Sequence, residues 1–413
     1  MKIIITTLGS DGDIFPFIGI GLELQKRGHS IIFLTSDYYR EMIPKYGFTF
    51  IPIDDYSDAE EMFTSVDPEN MMDQFPKHLE YFITSPMKKV YEAIEKNYDK
   101  NTVLINWKLM AGAKIASEKF NIPLVSIYLS PSQIRSVIEP PRYTFSKILP
   151  LLPKFVIRQG YIKMDQWIDS LIKETINTFR TDVGLEQIET SMLDWLETPD
   201  RLLAVFPEWF GNLQKDWPAH SIHTTFPLFV ESKAGKNQEA LEQFITHEKK
   251  PVVVTPGSQL AKAHEFFKVM TNIVKKLQLR GIFRTKYREQ LPEDLGDTIL
   301  HIEYADFEKL LPQSALIIHH GGIGTVAQAI KSGIPQIIIP WGLDQYDNAI
   351  RIKKLGIGDY IDPKKIDEKK ISKKITRLLE SKQVAANCKK YAESFREVDP
   401  FKQTCDIIET MVH

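Results

Sequence analysis

Between Leu316 and Asn348 the chain reads LIIHHGGIGTVAQAIKSGIPQIIIPWGLDQYDN, and its densest set of chemistry-bearing residues lies there. An apolar run ends at His319-His320-Gly321-Gly322, and Gly324-Thr325 then open an apolar-periodic segment. That order predicts a buried strand, a glycine-rich turn and a helix start. A helix start offers free backbone N–H groups and a positive dipole end, which favour an anion. The ring N–H of His320 and the hydroxyl of Thr325 add donors, while Gly322 and Gly324 permit close backbone approach to phosphate. A charged His320 would be most useful as negative charge builds on a departing diphosphate; the alternative is a structural histidine capping the strand end. His319 is expected on the opposite face. A second strand, Gln336–Ile339, runs to Pro340, and Asp344-Gln345 follow. A carboxylate accepts from two vicinal hydroxyls and an amide both donates and accepts, so this pair suits a sugar, unless it only shapes an Asx-type turn. Phosphate at one strand end and a polyol at the next imply a nucleotide-sugar site.

The chain opens with a related signature. Ile3–Thr7 leads into Gly9-Ser10-Asp11-Gly12-Asp13, as Val252–Thr255 leads into Pro256-Gly257-Ser258. Both read as strand, Thr-x-Gly-Ser turn, then helix. Asp13 is the candidate general base; an ordinary aspartate, with a pKa of about 4, is a weak base unless partly desolvated. Its alternative role is the N-cap of a helix starting near Phe15.

Short apolar strands alternate with helical patterns through both halves: Ile31–Thr35, Val103–Ile105 and Leu124–Tyr128, then Gly281–Arg284, Leu316–Ile318 and Gln336–Ile339. Such alternation implies parallel sheets with helices on both faces and ligands outside the carboxyl ends of the strands. The expected fold class is α/β, two doubly wound domains facing across a cleft. Residues 1–215 form the first domain, 216–236 a linker, within a stretch Pro207–Gly235 where tryptophans, prolines and polar residues replace clear periodicity, and 237–391 the second. The stretch Glu139–Phe155 carries four prolines and is expected to be a loop with an amphipathic edge, either a core-packed connection or a mobile lid over an apolar acceptor. At 413 residues with 43% hydrophobic and 26% charged, the composition is that of a globular protein. A formal net charge of −2 gives no argument for nucleic acid or for an anionic membrane. Cys388 and Cys405 are too few for a disulfide framework, which fits a reduced, cytoplasmic setting. No apolar run approaches the roughly 20 residues that span a bilayer, and the first residues read as a strand rather than a signal peptide.

The linked residues His320, Gly322, Thr325, Gly333-Ile334-Pro335, Asp344-Gln345 and Asn348 resemble the donor motif of family 1 glycosyltransferases, the two-domain GT-B enzymes. Gly12-Asp13-Ile14-Phe15-Pro16, where plant members usually carry a histidine in place of Asp13, is similar to bacterial and sterol or lipid members. Phe283–Asn348, Pro256–Phe267 and Lys26-Arg27-Gly28-His29 resemble the bacterial subgroup that contains the rhamnolipid rhamnosyltransferase catalytic chain. The resemblance implies a GT-B fold of two Rossmann-like domains, with a last helix (392–413, broken at Pro400) crossing back to the first. It implies inverting transfer of a hexose from a UDP- or dTDP-sugar to a hydroxyl of an apolar lipid or aglycone. Asp13 and His320 would be catalytic. Donor contacts would come from Gly9, Ser10, Gly257, Ser258, Tyr304, Phe307, His320, Gly322, Gly324, Thr325, Asp344 and Gln345. Gln328 stands where many plant members place a glutamate against the ribose. Asp11-Gly12-Asp13 also spells a metal-binding Asp-x-Asp, but it lies in the first strand's turn. No metal and no cofactor beyond the nucleotide sugar are expected. Peripheral membrane contact and a partner chain or homodimer stay open. The rival readings are a dinucleotide-dependent oxidoreductase, from Gly322-x-Gly324 with Asp344 about 20 residues on, and a catalytically inactive nucleotide-sugar-binding partner. Ala327-Gln328 lacks the third small residue of the former, and Asp13 argues against the latter.

Overall fold

A computed structural model describes residues 1–64, 71–143, 149–229, 231, 238–257, 263–342, 344–396 and 398–411. The chain divides into two compact units. Unit 1 comprises Met1–Pro141, Ile148–Phe229 and Asp399–His413; unit 2 comprises Arg142–Lys147 and Val230–Val398.

Unit 1 holds a seven-stranded sheet of β1 (Lys2–Thr6), β2 (Ser30–Thr35), β3 (Thr49–Pro52), β4 (Thr102–Trp107), β5 (Leu124–Tyr128), β6 (Arg201–Ala204) and β7 (Ser221–His223). Their order is β3-β2-β1-β4-β5-β6-β7, and every pairing is parallel. Parallel strands covered on both faces need continuous apolar runs rather than alternation. Ile3, Ile4 and Ile5 in β1 and Val103, Leu104 and Ile105 in β4 are accordingly fully buried. The helix α1 (Asp11–Lys26) leaves the carboxyl end of β1, and α2 (Lys154–Asp182) is a 29-residue helix anchored by Ile157, Ile168, Ile172 and Ile176.

Unit 2 holds β8 (Val252–Thr255), β9 (Gly281–Arg284), β10 (Ile299–Ile302), β11 (Leu316–His319), β12 (Gln336–Ile338) and β13 (Gly358–Tyr360), in the order β10-β9-β8-β11-β12-β13, again all parallel. The helices that matter for the site are α3 (Ile323–Ser332) and α4 (Gln345–Leu355). The core between the sheet and its helices is built on Val252, Val254, Phe267, Phe283, Leu316 and Ile318.

Three expected boundaries are corrected. Within the expected 216–236 linker, Ser221–His223 is a strand hydrogen-bonded to β6, so unit 1 runs to Phe229; residues 230 and 232–236 lie outside the described residues. Residues 392–396 belong to α5 (Lys382–Arg396) in unit 2, and the return to unit 1 is made by α6 (Pro400–Glu409) alone. In the expected 139–155 loop, Leu149–Leu151 forms a 3-10 turn and α2 begins at Lys154. Residues 144–148 are outside the described ones.

Candidate active site

In unit 2 the strands β8 and β11 lie side by side and end at Gly257 and at His320-Gly321-Gly322. Gly257 and Gly321 adopt left-handed φ values of +100° and +99°. Gly322 is the N-cap of α3 and has no side chain to satisfy the helix's first N–H groups. The His320 ring is held between these turns. A Cβ on Gly257 would come within 2.9 Å of His320 Nδ1, and one on Gly322 within 2.6 Å of Nε2. Glycine at both positions is therefore a packing requirement of the histidine. His320 Nδ1 is buried with no hydrogen-bond partner among the described residues. Burial pushes the imidazole down to about 4, and the charge of Arg284 adds to the fall. Without a bound anion the ring therefore favours its neutral form. The cation here is Arg284, at the carboxyl end of β9, its guanidinium over the rings of Tyr304 and Phe307 at 5.8 and 5.3 Å.

His319 has a structural task. Its Nδ1 accepts from the Gly321 N–H at 3.2 Å, and its Nε2 donates to Gln336 Oε1 at 2.9 Å on neighbouring β12. Burial, then the adjacent His320, pushes it down to about 3. Asn348 ties the two arms of the motif together, donating through Nδ2 to Gly321 O at 3.0 Å and to Asp344 Oδ2 at 2.8 Å. Gln345 Oε1 accepts from the backbone N–H groups of Trp341 and Gly342 at 2.8 and 3.2 Å. Its carbonyl end is thus spent on the turn, and the amide N–H end alone remains for a ligand. That narrows the expected donor-and-acceptor role. Gly324 is exposed and its Cβ direction is open, while Thr325 is half-buried on the first turn of α3. Gln328 is buried, with no partner for Oε1 among the described residues. The Tyr304 hydroxyl donates to the Glu231 carbonyl, and Phe307 opens the short helix Phe307–Leu310. Ser258 lies outside the described residues.

In unit 1, α1 starts at Asp11 with Ser10 as its N-cap. Asp13 is therefore the third helical residue and not the cap of a helix near Phe15. The Ser10 N–H and hydroxyl both donate to Asp13 Oδ2 at 3.0 Å, so Ser10 serves the carboxylate. Gly9, at φ +138°, passes so close that a Cβ would lie 2.5 Å from Asp13 Oδ2. Burial pushes the Asp13 carboxyl up to about 6, against the lowering effect of the Ser10 hydrogen bonds, and the neighbouring Asp11 charge adds to the rise. Asp11 Oδ1 accepts from the buried Tyr39 hydroxyl at 3.2 Å, so the two carboxylates of Asp11-Gly12-Asp13 have different partners. Asn348 stood in the motif without a stated task, and Arg284 and Tyr39 were not singled out by sequence reasoning. Arg284 carries a faint signal, a cation directly after a buried apolar strand.

Residues 3–138 match the glycosyltransferase family 28 N-terminal domain, and residues 282–404 match the erythromycin biosynthesis protein CIII-like C-terminal domain. The chain belongs to the GT-B glycosyltransferases. Each family match falls on one unit's strand-and-turn apparatus, apart from the last residues of the second, which reach into α6. Among curated relatives, the chain is 23% identical over 366 residues to O-mycaminosyltylonolide 6-deoxyallosyltransferase of Streptomyces fradiae, covering 86% of this chain and 84% of that protein. It is 26% identical over 412 residues to a sterol 3-beta-glucosyltransferase of Leptosphaeria maculans, covering 96% of this chain but 28% of that protein. The chain thus spans less than a third of that fungal relative's length. Among solved structures, the calicheamicin glycosyltransferase CalG4 superposes with a TM-score of 0.76 at 14% identity, covering 100% of this chain and 98% of that one. The glycosyltransferase VinC, solved with dTDP, gives 0.72 at 17%, covering 100% and 99%. These likenesses establish the fold. This GT-B chain is a glycosyltransferase. No helix among the described residues is long and apolar enough to cross a membrane.

Proposed function

We propose that this GT-B enzyme transfers a hexose, with inversion, from a UDP- or dTDP-sugar to a hydroxyl of an apolar acceptor such as a sterol, other lipid or polyketide-like aglycone. The observation that carries the donor half is His320: its Nδ1 is buried without a described partner beside the uncapped N-terminus of α3. A diphosphate there would receive the α3 N–H groups, the His320 N–H and the charge of Arg284. Asp344 and the Gln345 amide would hold sugar hydroxyls, and Gln328 Oε1 would accept from a ribose hydroxyl. The acceptor oxygen attacks the anomeric carbon on the face opposite the diphosphate and loses its proton to Asp13. The bond from the anomeric carbon to the phosphate oxygen breaks, and the nucleoside diphosphate departs with the electron pair. The names of the macrolide and sterol relatives support an apolar acceptor.

Thermal unfolding with UDP, dTDP, GDP, NAD and FAD tests the donor site. A ligand at one hundred times its dissociation constant adds about 2.7 kcal/mol to apparent stability. The expected result is a rise with UDP or dTDP that disappears in His320→Ala. A rise with NAD or FAD alone would overturn the proposal and favour the oxidoreductase. Product NMR with a turned-over donor tests inversion; retention of the anomeric configuration would remove Asp13 as the base.

A further inference from the structure

The amino-terminal end of α2 carries an exposed apolar surface that includes none of the residues assigned above to the donor or to the base. Leu151 is 83% exposed and Phe155 70%, and Val156 and Ile162 are exposed beside them. Isolated exposed apolar residues are ordinary, but a contiguous group on one element is not. At about 100° per residue, Phe155 and Ile162 fall on one face of α2, opposite Ile157 and Ile168, which anchor the helix in unit 1. Arg158 and Lys163 fall on either side of that apolar ridge, and Lys154 precedes it. None of these three cations makes an ion pair with a described residue. From Leu149 to Met164 the sequence contains no acid, in a chain whose formal net charge is −2.

We infer that this end of α2, with the preceding turn Leu149–Leu151, docks unit 1 on an anionic membrane surface. Apolar side chains that protrude from an anchored helix and are flanked by cations with no ion pair to a described residue suit the headgroup boundary of a bilayer, with the apolar ridge in the acyl region and the cations at lipid phosphates. A second copy of the chain is disfavoured as the occupant, because a two-fold contact would bring two surfaces of the same positive charge together. The inference is independent of the acceptor proposed above, since the surface would attach the enzyme whatever the acceptor is.

Co-flotation of the full chain with vesicles of phosphatidylcholine, with and without phosphatidylglycerol, tests it. The wild type is expected to float with the anionic vesicles and to lose them at high salt. Leu151→Ser with Phe155→Ser should weaken binding by at least tenfold. Lys154→Glu with Arg158→Glu and Lys163→Glu should weaken it by roughly fivefold or more for each charge. Leu379→Ser, an exposed leucine on unit 2, should bind as wild type, and far-UV circular dichroism should show all variants folded. Failure of the wild type to float, or flotation unaltered by both sets of changes, overturns the inference. So does a concentration-dependent dimer in sedimentation that Leu151→Ser with Phe155→Ser abolishes, which would assign the surface to self-association.

Discussion

Asp13 is tuned by opposing forces: burial raises its pKa to about 6, and the two Ser10 hydrogen bonds limit the rise. A base must be ionised to work, so kcat/KM for transfer should climb with pH along an acid limb near pH 6 and level off above it. Asp13→Asn should lose the limb and roughly 10²- to 10⁴-fold of the rate. Between the ordinary aspartate pKa near 4 and about 6, the folded protein binds a proton that the unfolded chain has released. The stability this group contributes is therefore present at low pH and lost as pH rises through 6. Asp13→Asn should consequently be at least as stable as wild type at pH 7; a marked fall in its melting temperature would mean the carboxylate is structural. In unit 2 the sign is reversed. Burial first, and then Arg284, holds His320 down at about 4, so Arg284→Gln should move its titration upward, as read from the histidine ring signals in NMR. An unmoved titration would mean that Arg284 does not act on His320. Asp13 and His320 were legible because each stands in a glycine turn after an apolar strand. The commitments of Ser10 and Gln345 were not, since a polar side chain's partner depends on its rotamer and on the turn around it. Arg284 was hidden because its nearness to His320 exists only once β8, β9 and β11 are laid side by side.

At the scale of elements, the donor motif is a strand, a turn and a helix held to a second strand and helix by Asn348. Gly322 has an ordinary negative φ, so alanine there strains no backbone and its whole effect falls on the His320 ring 2.6 Å away. Gly322→Ala should keep the fold yet lower UDP or dTDP affinity by roughly tenfold or more, measured by calorimetry. Asn348→Ala should do similar harm by freeing Gly321 from Asp344, with an added loss of about 1–3 kcal/mol in stability from the buried carbonyl left unpaired. Undiminished affinity in both variants would mean the turn does not position the nucleotide. The strands with clear apolar runs were readable because parallel strands covered on both faces are apolar throughout. Others of similar length, β3, β6 and β10, and the three-residue β7 and β13, were not. In β13, Asp359 is 2% exposed and is paired with Lys374 and Arg377, so its burial depends on side chains some fifteen or more residues further along.

For the whole molecule, the consequential feature is that the chain's last helix belongs to its first unit. Lys26-Arg27-Gly28-His29, which the sequence offered only as a family likeness, has a physical task there. Gly28, at φ +89°, turns the chain after α1. Arg27 Nη1 donates to Asp406 at 2.7 Å and to Glu409 at 2.9 Å, and His29 Nε2 meets Glu409 at 2.7 Å. Alongside, Phe401 packs where a Cβ on Gly19 would stand 2.4 Å from its ring, so α1 and α6 approach closely because residue 19 is glycine. Unit 1 is thus closed by a segment that arrives only after unit 2 has been threaded through. Arg27→Ala removes charge-assisted hydrogen bonds from a partly buried site and should cost about 2 kcal/mol, which is roughly a 5 °C fall in melting temperature for a unit of this size. Loss of residues 399–413 should lower it further, because Cys405 and Ile408 are fully buried and their neighbours in α1 would be bared. Differential scanning calorimetry separates this from a surface effect. If Arg27→Ala melted as wild type does, in low and in high salt, the network would be incidental, and the apolar contacts of Phe401 and Ile408 would have to hold α6 alone.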